Sequence, residues 1–221
     1  VIERFLRKLG YDPRIINEAV AVIYSENPTV EVRGQEVPFT GVGMSFGAGM
    51  VNLCVAWRAK KLLEFSCGRG GDWIDEQVAK VRNLPISKVT AYKERHLDFD
   101  NIDPSDQILV ALEIYYEDLI RYTLEHFRNQ FKATKATIDE PVEIVVAGGT
   151  ASPPGFVRKF EEVLQRVEMP FPVKGVRLAK DPLKAVASGA LVAAITEERK
   201  KLRKKEQKQE VVKVHHRTKP Q

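Results

Sequence analysis

Three glycine-bearing segments are the places where this chain could hold an anion. Gly43–Val55 reads GMSFGAGMVNLCV, with small residues in its first half and strand-like alternation in its second. Bare backbone N–H groups in such a turn can approach a phosphate closely. The stretch contains no acidic residue, whereas a hydrolytic phosphate loop usually carries one to handle metal and water. Gly68-Arg69-Gly70-Gly71-Asp72 precedes a helical pattern and reads either as a second anion turn or as a helix start with Asp72 as its cap. Val142–Leu164, VEIVVAGGTASPPGFVRKFEEVL, is an apolar strand that ends in Gly148-Gly149 and feeds a helix. Such a turn offers N–H groups to a nucleotide. It also serves as an ordinary strand-to-helix connection, and it is neither GxGxxG nor a Walker loop.

The elements that must position these turns follow from periodicity. Val1–Leu9 is a short amphipathic helix ended by Gly10, and Asp12-Pro13 is a start signal for a mostly apolar helix over Ile15–Tyr24. Val30–Val32 and Glu36–Thr40 flank a turn at Arg33-Gly34-Gln35. Val42–Phe46, Met50–Trp57 and Lys61–Cys67 read as antiparallel strands. Helices follow over Trp73–Leu84 and, capped by Ser87, over Lys88–Arg95. The longest helix is Gln107–Phe131, whose apolar residues recur at the spacing of one buried face. Val142–Val146 is apolar enough to be covered on both faces, as in a layered α/β domain. Gly155–Val167 is the next helix, Phe171–Leu178 a strand, and Asp181-Pro182 caps a final apolar helix, Leu183–Ile195.

Composition bounds the classes. The 221 residues suit one large domain or two small ones, and 43% apolar with 29% charged residues is ordinary for a soluble globular protein. No apolar run approaches 18 residues, and the start has no signal-peptide core, so a cytoplasmic protein with no transmembrane segment is expected. Cys54 and Cys67 read as buried, reduced thiols. The net charge of +5 sits in residues 197–221, where 10 Lys/Arg face 4 Asp/Glu. The body is near neutral, so the high isoelectric point does not mark a nucleic-acid binder. The tail reads as flexible and solvated, or as a contact for an acidic lipid, nucleic-acid or protein surface.

The order and spacing of the glycine motifs resemble the second half of the actin-like and DnaK-like ATPase superfamily, of the MreB, ParM, FtsA and PilM type. Ser45–Val55 sits where that family has its second phosphate loop, often DIGGGTTDVAV. Gly70–Asp75 matches GGDxxD, Val145–Thr150 its adenosine loop, and Asp181–Ala190, DPLKAVASGA, its terminal DPxxAVAxGA helix. Asn17–Tyr24 resembles the helix before the phosphate loop. The resemblance covers about residues 10–196. It implies an α/β actin-like ATPase (ribonuclease H-like) fold, a mixed sheet with helices on both faces. Residues 1–38 would be a remnant of domain I, 39–196 domain II with a reduced subdomain IIB, and 197–221 a basic tail. The family's first phosphate loop, a DxGT hairpin, is not in this chain, so a fragment of a longer protein is expected.

Residue by residue, the resemblance implies that Gly47, Ala48 and Gly49 line phosphates and that Gly70, Gly71 and Asp72 border them. Gly148, Gly149 and Thr150 would approach the α-phosphate and ribose. Lys93 would reach the nucleoside, with a solvated lysine as the alternative. Glu18 falls where the family places the group that orients the attacking water; its alternative is a solvent-facing glutamate. Ser45 stands in place of a metal-associated Asp, Met50 and Val51 in place of threonines, and Asn52 in place of an acid. No residue is assigned as a metal ligand. The expectation is an actin-like protein that binds ATP or ADP with Mg²⁺, hydrolyses weakly or not at all, and works as a filament or scaffold component through self-association or protein partners. The alternatives are a DnaK-type chaperone ATPase and a structural pseudo-ATPase that binds no nucleotide.

Overall fold

The computed structural model describes residues 1–26, 29–32, 35–38, 40–58, 60–199 and 201. Its frame is a five-stranded sheet of β3 (Gly41–Phe46), β4 (Val51–Trp57), β5 (Lys60–Cys67), β6 (Val142–Ala147) and β7 (Val173–Leu178), in the order β5-β4-β3-β6-β7. β5, β4 and β3 form an antiparallel meander, and β6 and β7 join it in parallel. The sheet is therefore mixed. β1 (Thr29–Val32) and β2 (Gln35–Pro38) form a separate antiparallel pair, while Arg33, Gly34 and Phe39 lie outside the described residues.

Helices cover both faces, as expected. The larger core lies on the face where Val42, Met44, Phe46, Leu53 and Val146 meet α3 (Gly71–Arg82), α5 (Gln107–Ala133) and α6 (Phe156–Leu164). Each fully buried Phe or Leu there contributes about 2 kcal/mol of transfer free energy. Phe46 meets Phe156 and Phe160 edge-on, at 5.3 and 6.2 Å between centroids. On the other face, α2 (Glu18–Glu26) and the last helix, α7 (residues 185–199), cover Val145, Ala147 and Cys54 through small residues. Two glycines let α2 come this close. A Cβ on Gly43 would lie 2.5 Å from the Ala19 carbonyl oxygen, and one on Gly189 would run into the Ala21 carbonyl. The C-terminal end of α2 is pinned by Glu26, which pairs with Arg177 at 2.7 Å and accepts from the Lys180 N–H.

Four local expectations are corrected. α2 starts at Glu18, three residues later than expected, because Asn17, not Asp12, supplies the cap: Asn17 Oδ1 accepts from Ala19 N–H at 2.8 Å. α4 (Ile86–His96) follows Pro85, and Ser87 lies inside it without capping. α3 begins at Gly71 with Gly70 as its N-cap, and its start has no side-chain cap, so Asp72 does not cap. The last helix begins at 185, after a turn in which Asp181 Oδ1 accepts from Lys184 N–H. α5 keeps the expected buried face and is capped by Asp106, whose Oδ1 accepts from Ile108 and Leu109 N–H. α1 (Ile2–Lys8) closes at Gly10 and buries no residue. Residues 202–221 of the basic tail lie outside the described residues.

Candidate functional site

The three glycine segments come together at one end of the sheet. The β3–β4 turn closes through Gly47 N–H on the Met50 carbonyl at 3.0 Å. The start of α3 docks on that turn: Gly71 N–H donates to the Gly47 carbonyl at 3.0 Å and Asp72 N–H to the Ala48 carbonyl at 2.9 Å. From the β6 side, Thr150 Oγ1 donates to the same Gly47 carbonyl at 2.9 Å.

Close approach demands the glycines. A Cβ on Gly70 would run into the Ala48 carbonyl, and one on Gly71 would sit 2.6 Å from Thr150 Oγ1. Gly148 has φ +99°, a left-handed conformation that side chains disfavour, and a Cβ there would run into the Phe46 carbonyl.

This docking sorts the candidates. The N–H groups of Gly47, Gly71 and Asp72 and the hydroxyl of Thr150 are turned inward, where they brace the turn. Ala48 and Gly49 form its exposed tip, and their N–H groups have no partner among the described residues. Gly149 is exposed on the turn after β6, where an added Cβ would meet only Leu183 Cδ2, at 3.8 Å.

Lys93 is not a solvated lysine. Its Nζ lies 2.7 Å from Asp75 Oδ1 and 3.5 Å from the Gly71 carbonyl. Asp75 Oδ2 accepts from Thr90 Oγ1 at 2.7 Å, so the buried carboxylate ties α4 to the first turns of α3. The last residue of the GGDxxD pattern thus holds the helix start whose N–H groups hold the turn.

A polar row lies under α2. Ser45, Asn52 and Ser66 are directly opposite one another on β3, β4 and β5. Ser66 Oγ donates to Asn52 Oδ1 at 2.6 Å, which aims the amide Nδ2 at Glu18 Oε2, 3.1 Å away. Ser45 Oγ donates to the same oxygen at 2.9 Å. Ser45 and Asn52 are almost fully buried, while Glu18 is exposed at the first turn of α2. Glu18 Oε1 has no partner among the described residues. Sequence reasoning missed Ser66 and Asp75 as site residues and treated Asn52 only as a departure. The available signal was a polar residue in the apolar strands VNLCV and LEFSC, and only the register shows that the two meet.

Among the described residues, no three His, Cys, Asp or Glu side chains are grouped to hold a metal. Magnesium asks little of a protein, one or two carboxylates beside waters and substrate phosphates. The half-free carboxylate of Glu18 meets that requirement, so the donor set fits a nucleotide-borne Mg²⁺.

Solved structures share this architecture. MreB5 of Spiroplasma citri bound to ADP aligns with a TM-score of 0.64 at 14% identity, over 90% of this chain and 65% of that one. Its AMPPNP-bound form aligns at 0.62 and 14%, over 90% and 64%. The ethanolamine utilization protein EutJ from Carboxydothermus hydrogenoformans aligns at 0.54 and 20%, over 79% and 53%. The fold is that of the actin-like ATPases. Among curated proteins, Salactin of Halobacterium salinarum is 26% identical over 187 residues, covering 68% of this chain and 49% of that protein. The chain thus spans about half the length of the curated relative it matches. The Volactin family model matches residues 1–194, and the chain belongs to that family.

Proposed function

We propose that this chain is the nucleotide-binding second half of an actin-like protein, which binds ATP or ADP and self-associates as a cytoskeletal filament or scaffold component. One observation carries the reading: three glycine turns far apart in sequence brace one another and leave the Ala48 and Gly49 N–H groups, at an exposed tip, without a partner among the described residues. Bracing fixes the donors before an anion arrives, which lowers the ordering cost of binding. The MreB5 neighbours, bound to ADP and AMPPNP, support the choice of ligand.

In this reading residues 39–196 form domain II with a reduced subdomain IIB, residues 1–38 belong to domain I, and a preceding half closes over the nucleotide. Ala48 and Gly49 face phosphate oxygens, and Gly148, Gly149 and Thr150 shape the ribose side. A bound Mg²⁺ would neutralise phosphate charge. Glu18 is a carboxylate hydrogen-bonded to the hairpin, and Ser45, Met50 and Val51 supply it no further charge, so hydrolysis is slow or lost. The protein acts in the cytoplasm, and the basic tail contacts an acidic surface.

Calorimetry of ADP and ATP on the full-length protein, paired with nucleotide-dependent pelleting, tests this. Saturable binding with concentration-dependent pelleting supports it. Absence of binding by intact protein favours a structural pseudo-ATPase, client refolding without pelleting favours a chaperone, and fast multiple-turnover phosphate release overturns slow hydrolysis.

A further inference from the structure

Resting on that nucleotide reading, we infer that Glu18 supplies from α2 the metal-facing negative charge that the β3–β4 hairpin itself lacks, and that Ser45, Asn52 and Ser66 are the positioning residues that aim it. The hairpin has neutral groups at both positions flanking its turn, Ser45 and Asn52, and these face one another across β3 and β4. Both donate to one oxygen of a single carboxylate. Ser66 engages the amide oxygen, which holds the amide plane while the acceptor-only carboxylate of Glu18 takes its N–H. The second carboxylate oxygen has no partner among the described residues, and Glu18 is exposed.

The arrangement has its own electrostatic logic. A carboxylate at 45 or 52 would meet Glu18 at hydrogen-bond distance, and like charges so close repel. Neutral donors attract it and hold its orientation. The substitutions at 45 and 52 and the charge at 18 therefore form one coupled set. The β3–β4 hairpin, neutral itself, is thus bonded to a negative charge carried on the helix that also packs against Gly43 and Gly189. A nucleotide beside that charge is repelled unless a divalent cation lies between them, so Glu18 makes nucleotide binding depend on metal.

The test is ADP affinity by calorimetry with MgCl₂ and with EDTA, on the full-length protein. Wild type is expected to gain roughly tenfold from Mg²⁺. Glu18→Gln, which removes the repelling charge, should raise the metal-free affinity and lose the gain. The double variant Ser45→Asp/Glu18→Gln, which moves the charge back onto the hairpin, should recover it. A Glu18→Gln protein with the full gain overturns the inference and leaves the nucleotide reading standing. Loss of ADP binding with and without metal, in a variant whose circular dichroism matches wild type, also overturns it, by showing a structural role. Failure of wild type to bind ADP at all overturns the nucleotide reading itself.

Discussion

Ser45 Oγ and Glu18 Oε2 lie 2.9 Å apart across 27 residues of sequence, and their hydrogen bond joins the inner strand of a hairpin to the first turn of the helix above it. Because the hydroxyl is nearly buried and the carboxylate reaches solvent, the pair sits at the boundary between core and site. Ser45→Asp should destabilise the fold by about 1–3 kcal/mol, since it sets a buried carboxylate against a second one. Adding Glu18→Gln should restore most of the loss. A double-mutant cycle by urea denaturation measures the coupling, and purely additive effects would show that the two side chains do not interact.

Asp75 and Lys93 form the other critical pair. Lys93→Ala leaves Asp75 buried and unpaired, and should cost about 3–5 kcal/mol. Lys93→Met together with Asp75→Leu should cost less than Lys93→Ala alone, because no orphaned charge remains. Equal destabilisation of single and double variants in chemical denaturation contradicts this account.

Gly189→Ala should be disproportionately harmful. Its methyl group would fall on the Ala21 carbonyl and push α2 off the last helix. A loss of about 1–3 kcal/mol or more is expected. Gly175→Ala, at a position where nothing lies within 4 Å of the new atom, is the matched control and should change stability by only a few tenths of that. Thermal melts of the two variants decide the matter.

Burial pushes the Cys54 thiol up from the usual 9 to about 12, with the nearby Glu64 charge adding to it, and burial pushes Cys67 up to about 11. A folded-state value raised above the unfolded one contributes stability that is complete below pH 9 and fades as the pH rises through the folded value. Stability should therefore fall between pH 9 and 12, and Cys54→Ala should flatten that part of the curve. Native protein at pH 8 should react with iodoacetamide far more slowly than urea-unfolded protein; equal rates would contradict buried thiols.

Asp106→Ala should cost about 1 kcal/mol by removing the cap of α5. Burial raises the Asp106 carboxyl, but its hydrogen bonds from Tyr92, Leu109 and Ile108 outweigh this and hold it below its ordinary 3.8. A lowered value stabilises above the unfolded one and is lost as the pH falls through the folded one. The gap between wild type and variant should thus shrink below pH 3.8. A gap that stays constant to pH 2 would show that the charge is irrelevant to the cap.

The sequence by itself determined the parts whose signals are local. The alternation of VNLCV, the apolar face of α5 and the apolar run VEIVV define strands and helix because side-chain periodicity alone decides which face is buried. The glycine turns were legible as local breaks in that periodicity, and their order pointed to the actin-like superfamily. Boundaries slipped where two polar residues competed for a cap, as Asp12 and Asn17 did at α2, since the winner depends on where the helix must dock. Only the tertiary structure decided what the turns do. Gly71 and Thr150 converge on the Gly47 carbonyl, and Ser45, Asn52 and Ser66 line up under Glu18, because β3 pairs in parallel with β6 about a hundred residues away and in antiparallel register with β4. Register and long-range pairing are set by the whole core at once, and a one-residue slip would turn that polar row to the opposite face.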